Sequence, residues 1–119
     1  MFKSAKAEGD YLVVGVHSDA DVATYKRWPI MTMEERIAVV EACRYVDEVI
    51  PYAPLKMDEA YIREHHIDLV IHGDDLSWEK CLDCYGEPIR LGIFKRIPYT
   101  QGISTTDLIR RVVETYGNP

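Results

Sequence analysis

Two spacings of apolar residues alternate along the chain. "YLVVGVHSD" (11–19) is an almost unbroken apolar run closed by polar residues, which predicts a buried strand ending in a turn. "MEERIAVVEACRY" (33–45) places Ile37, Val40, Ala42 and Tyr45 close to helical spacing. Thr32 stands at its N-cap, and Glu35 three residues later completes a capping box. "VDEVI" (46–50) predicts a short strand stopped by Pro51, "MDEAYIREHH" (57–66) a helix, and "DLVIHGDD" (68–75) another buried strand with a polar end. Residues 76–92 read as an irregular connection. "IFKRIPY" (93–99) then predicts a strand and "TTDLIRRVVETY" (105–116) a helix. Apolar strands alternating with helices are the mark of an α/β fold built on a parallel sheet.

In such sheets, ligands collect at the carboxyl ends of the strands. Three clusters of small and polar residues fall there: "HSDAD" (17–21), "HGDD" (72–75) and "YTQGISTT" (99–106). Their convergence on one edge carries more weight than any one of them.

Composition narrows the picture. With 119 residues the chain makes one domain, and 47% hydrophobic with 29% charged residues is ordinary for a globular protein. The opening "MFKSAKAEGD" lacks an apolar signal-peptide core, and no apolar run is long enough to cross a bilayer, so the cytoplasm is the expected compartment. A net charge of −6 argues against nucleic acid as a partner, since a phosphate-rich ligand must be held by a local site. Three cysteines, Cys43, Cys81 and Cys84, do not suggest a disulfide framework. "CLDC" has the spacing of half a zinc or redox site, but no second close pair accompanies it beyond His65–His66.

Each cluster admits a bland and a chemical reading. Ser104 or Thr105 suffices as an N-cap. Gly102 with Ser104, Thr105 and Thr106 at a helix start also makes a phosphate cradle, through free backbone N–H groups and hydroxyls. Asp74 and Asp75 after Gly73 form an acidic turn, or else hold magnesium or accept hydrogen bonds from ribose or a base amine. For His72, the backbone is expected to matter more than the ring. Lys26, in "YKRWP" (25–29), is a solvated cation or a group that neutralises phosphates during transfer. Arg44 is expected to be architectural, paired with Asp47 or Glu48 or placed at a subunit contact.

"GVHSDADVATYK", "MTMEERIAVVEACRYVDEVIPYAP", "IDLVIHGDD" and "TQGISTTDLIRR" together resemble the cytidylyltransferase family, in order and over nearly the whole chain. Within it, "VGVHSD", "HGDD" and "TQGISTTDL" are most similar to the branch acting on ethanolamine phosphate. The choline-phosphate and glycerol-3-phosphate branches are close relatives. The resemblance implies a Rossmann-like nucleotidyltransferase fold and transfer of CMP from CTP to a phosphorylated alcohol, phosphoethanolamine foremost. The product is a CDP-alcohol for phospholipid biosynthesis, and Mg²⁺ accompanies CTP and leaves with pyrophosphate. It assigns Lys26 to the phosphates of both substrates. It assigns His72, Gly73, Asp74 and Asp75 to the cytidine pocket, and Thr100, Gln101, Gly102, Ile103, Ser104 and Thr105 to the triphosphate. Arg44, Tyr45, Val46, Asp47 and Glu48 match a segment near a dimer contact, so a homodimer or a two-domain chain is expected.

Two departures stand out. The family's last motif begins Arg-Thr, whereas this chain has Tyr99–Thr100, so a phosphate or base contact is weakened or comes from elsewhere, with Arg96 as candidate. The family's HxGH motif and the central strand before it do not occur in these 119 residues, whose start looks like the later part of the first helix. The strands ending at His17 and His72 are then expected to lack a neighbour between them. Hence the expectation of a truncated domain, an incomplete gene model or one part of a larger protein, unstable or associating when alone. The alternative is a non-catalytic nucleotide-binding or dimerisation module that has lost activity with HxGH.

Overall fold

The chain runs α1 (Phe2–Lys6), β1 (Val13–Val16), α2 (Asp19–Ala23), α3 (Met33–Glu41), β2 (Glu48–Pro51), α4 (Glu59–Glu64), β3 (Val70–Gly73), α5 (Trp78–Arg90), β4 (Phe94–Ile97) and α6 (Thr105–Tyr116). These elements come from a computed structural model that describes residues 2–98 and 105–117. Local chemistry starts the helices where the sequence asks for it. At α3 the predicted capping box is complete: Glu35 N–H donates to Thr32 Oγ1 at 3.2 Å, and Thr32 N–H donates to Glu35 Oε1 at 2.9 Å. Ser18, Asp58 and Ser77 cap α2, α4 and α5 in the same way through their side-chain oxygens.

The α/β class and the parallel strands agree with the sequence reading. β1 lies parallel to β2, with Val13 opposite Glu48 and Val16 opposite Pro51. β3 lies parallel to β4, with Val70 opposite Phe94 and Gly73 opposite Ile97. Each strand has a single partner among the described residues, giving two two-stranded sheets. β1 and β3, the strands that lead to His17 and His72, are not paired to each other. This is the gap expected between them.

The reading of residues 76–92 as irregular is overturned: α5 occupies most of them. Gly86 and Pro88 look like helix breakers in sequence, and they do distort the helix, with Tyr85 at φ −121° and ψ 25°. Pro88 has no N–H for the carbonyl of Cys84. Met57 N–H, from the loop between β2 and α4, donates to that carbonyl at 3.1 Å instead. The breaker is thereby satisfied, and the same bond ties the β1–β2 half to the β3–β4 half. Gly92, at φ +74°, closes the helix with its N–H on the Ile89 carbonyl.

The core is small. Val16, Ile62, Val70, Cys81 and Ile97 are among its buried members. β1 approaches the chain after β2 so closely that a Cβ on Gly15 would lie 2.8 Å from Ala53 Cβ.

"RYVDE" has internal partners. Asp47 accepts from Leu12 N–H at 2.7 Å and pairs with Lys6, while its own N–H donates to the Leu12 carbonyl at 2.9 Å. Tyr11 OH donates to Glu48 at 3.1 Å. Arg44 does not pair with Asp47 or Glu48, contrary to expectation. Its guanidinium lies 4.9 Å from the centroid of the neighbouring Tyr45 ring and donates to the Tyr45 hydroxyl at 2.7 Å. The carboxylates are already taken by Leu12, Lys6 and Tyr11.

Leu12 N–H, and then Lys6, hold the Asp47 carboxyl below its ordinary value of 3.8. A depressed carboxylate pKa stabilises the fold fully above the unfolded value, and that contribution is lost as pH falls through the folded one. Asp47→Asn is therefore expected to lower the urea midpoint at pH 7 and to weaken the further loss on acidification below about pH 4. Circular dichroism at the two pH values reads both effects. Equal midpoints for the two proteins at pH 7 would refute the role given to Asp47.

Candidate functional site

β1 and β3 each deliver a histidine and a polar turn at the carboxyl end. After β1, His17 Nδ1–H donates to the Ala53 carbonyl at 2.9 Å, which locks the ring against the β2 side. Ser18 then caps the short α2, whose last turn continues through Tyr25 and Lys26 by N–H bonds to the Val22 carbonyl. Lys26 is exposed there. Arg36 of α3 pairs with Asp19 of α2 at 2.5 Å and so fixes this turn on the longer helix.

After β3, His72 Nδ1–H donates to the Gly73 carbonyl at 2.9 Å, and its ring leans on Tyr85, centroids 5.5 Å apart. Tyr85 stacks on Phe94 of β4 at 5.2 Å. Burial pushes the Tyr85 hydroxyl up to about 12, with Cys84 and Tyr25 adding to the effect. Tyr25 is raised too, by burial first, with the Arg36 charge opposing. Its ring meets His17 edge-on at 6.4 Å. Tyr25 thus lies beside His17 at the end of β1, and Tyr85 packs on His72 of β3 and Phe94 of β4.

Of the residues singled out in the sequence, Lys26 follows α2 on the chain leaving β1, and His72 to Asp75 lie at the carboxyl end of β3. Asp74 N–H donates to the Ile97 carbonyl at 2.8 Å, so the acidic turn is part of the β3–β4 pair. Tyr99, Thr100, Gln101, Gly102, Ile103 and Ser104 lie outside the described residues, as does the side chain of Thr105. His65 caps the end of α4 and His66 follows at φ 52°, at the amino end of β3 and away from His72. Cys81 is buried and Cys84 half-buried on α5. Among the described residues, no group of three or more His, Cys, Asp and Glu is arranged to hold a metal ion. The exposed Asp74 and Asp75 offer carboxylate oxygens, the donor type that magnesium takes.

Residues 1–111 match the family model described as cytidylyltransferase-like. The chain belongs to the cytidylyltransferase-like family. It is 43% identical over 117 residues to an ethanolamine-phosphate cytidylyltransferase of Dictyostelium discoideum, covering 94% of this chain and 32% of that protein. Identity is 40% over 112 residues to the ethanolamine-phosphate cytidylyltransferase of Mus musculus, with 93% and 28% covered. It is also 40% over 108 residues to choline-phosphate cytidylyltransferase A of Homo sapiens, with 89% and 29% covered. The chain thus spans about a third of the length of the curated relatives it matches.

One residue of this region escaped the motif reading. Tyr85 lies in the stretch taken as irregular. Its signal was the spacing Cys81, Tyr85, Pro88, one face of a helix. Arg96, the candidate for the guanidinium missing at position 99, donates through Nη2 to the carbonyls of Asp74 at 2.9 Å and Leu76 at 2.8 Å.

Proposed function

We propose that this chain carries the nucleotide-handling part of a cytidylyltransferase that transfers CMP from CTP to phosphoethanolamine, releasing pyrophosphate and a CDP-alcohol used to build phospholipids. The observation that supports the reading is membership in this family, with Lys26 after β1 and "HGDD" closing β3. A phosphate oxygen of phosphoethanolamine attacks the α-phosphorus of CTP. The new P–O bond forms as the bond to the β-phosphate oxygen breaks, and pyrophosphate departs with that electron pair. Lys26 neutralises charge on the phosphates of both substrates as they approach. His72, Gly73, Asp74 and Asp75 line the cytidine pocket, where the carboxylates accept from ribose hydroxyls or the base amine. Thr100 to Thr105 hold the triphosphate at the start of α6. Magnesium arriving with CTP supplies neutralising charge to the leaving pyrophosphate.

Among the described residues no helix is long and apolar enough to cross a membrane. We infer a cytoplasmic protein that pairs through the 44–48 segment, as a homodimer or within a two-domain chain. The rival reading is a nucleotide-binding module without activity, favoured by Tyr99 in place of the motif arginine. Turnover of [α-³²P]CTP, assayed with phosphoethanolamine and with phosphocholine, separates the two. Labelled CDP-ethanolamine is the expected product. CTP binding without product from either alcohol would support the rival.

A further inference from the structure

Arg96 lies directly opposite His72 in the β3–β4 register, on the strand that backs the acidic turn. One of its nitrogens, Nη2, donates to two backbone carbonyls two residues apart, Asp74 and Leu76. The Asp74 N–H is bound as well, to the Ile97 carbonyl at 2.8 Å. Both backbone groups of Asp74 are therefore held by β4. The Arg96 Nε is buried and has no partner among the described residues. A long cation that accepts an unpaired buried N–H, when solvent lies within reach, is held in place by what its other nitrogens gain. A carbonyl pair gripped by a charged donor also resists displacement more than one gripped by a neutral donor.

We infer that Arg96 is a positioning residue for the nucleotide: it clamps the 74–76 turn to β4, so that the carboxylates of Asp74 and Asp75 are set before CTP arrives. This rests on the functional reading above, which gives those aspartates to cytidine. A preset turn pays no ordering cost on binding, so the benefit appears as affinity for CTP and leaves the second substrate untouched. On this reading Arg96 acts through the 74–76 turn and not on the reacting phosphorus.

The test compares the unsubstituted chain with Arg96→Gln and Arg96→Lys by steady-state kinetics, CTP calorimetry and amide hydrogen exchange. In Arg96→Gln the CTP KM is expected to rise about tenfold, with the phosphoethanolamine KM unchanged. Segment 73–77 is expected to exchange faster while 13–16 and 48–51 do not. Arg96→Lys keeps a cation but not the forked geometry and is expected to fall between the two. Unchanged exchange at 73–77 in Arg96→Gln would overturn the clamp, whatever the activity. Faster exchange with equal rises in both KM values, or in neither, would make Arg96 structural and overturn its positioning role. If the unsubstituted chain binds CTP without turnover, the functional reading falls and the calorimetric Kd decides the clamp: a weaker CTP Kd in Arg96→Gln supports it, and an equal one overturns it. A chain that neither binds nor turns over CTP overturns both.

Discussion

Lys26→Ala is expected to lower the kcat of CMP transfer by about 10²- to 10³-fold, the usual cost of removing one preorganised donor to transition-state charge. The substitution leaves the local fold intact. What Lys26 contributes to the turn is its N–H on the Val22 carbonyl, and alanine supplies that equally. The turn is also held from outside, by Ser18 at the start of α2 and by Arg36 on Asp19. Calorimetric affinity for CTP is expected to change far less than kcat, because the charge that Lys26 meets grows as the pyrophosphate bond stretches. Lys26→Arg keeps the charge on a larger head and is expected to recover part of the rate. Activity within threefold of the unsubstituted chain, about 0.65 kcal/mol by the rate–energy relation, would remove Lys26 from the mechanism.

What could be read in the sequence was what short-range chemistry decides. The Thr32–Glu35 capping box, the strands β1 and β3 and their polar ends needed no tertiary information, and the structure contains them, though only Val16 of β1 and Val70 and Gly73 of β3 are buried. α5 escaped because its breakers are neutralised from a distance. Pro88 orphans the Cys84 carbonyl, and the donor that answers it is Met57, in a loop beyond β2. Arg44 was misjudged for a similar reason, since its expected carboxylate partners were claimed by residues some 35 positions earlier, Leu12 and Tyr11. Arg96 read as a candidate for the guanidinium missing at position 99. Only the strand register, which sets it opposite His72, turns it toward the acidic turn. The triphosphate segment was the sharpest motif in the sequence, and residues 99–104 of it lie outside the described structure.

The 119 residues produced alone are expected to associate in a concentration-dependent manner beyond a dimer, and strand composition says through which edges. β2 carries Glu48 and ends in Pro51, and β4 carries Lys95 and Arg96 and is followed by Pro98. Charges and prolines of this kind blunt an outer edge against pairing. β1 reads Val-Val-Gly-Val and β3 Val-Ile-His-Gly, the composition of strands that sit inside a parallel sheet. Yet each has one partner among the described residues, so these unguarded strands, like β2 and β4, keep an open edge. An open edge presents unpaired N–H and C=O groups, and pairing with another chain satisfies them. Light scattering behind size exclusion over a range of loadings measures the result, and Ile71→Lys, which puts a charge on β3, is expected to reduce it. A monomer at every loading that melts cooperatively at high temperature would show the edges to be satisfied within the chain, and would sink the prediction.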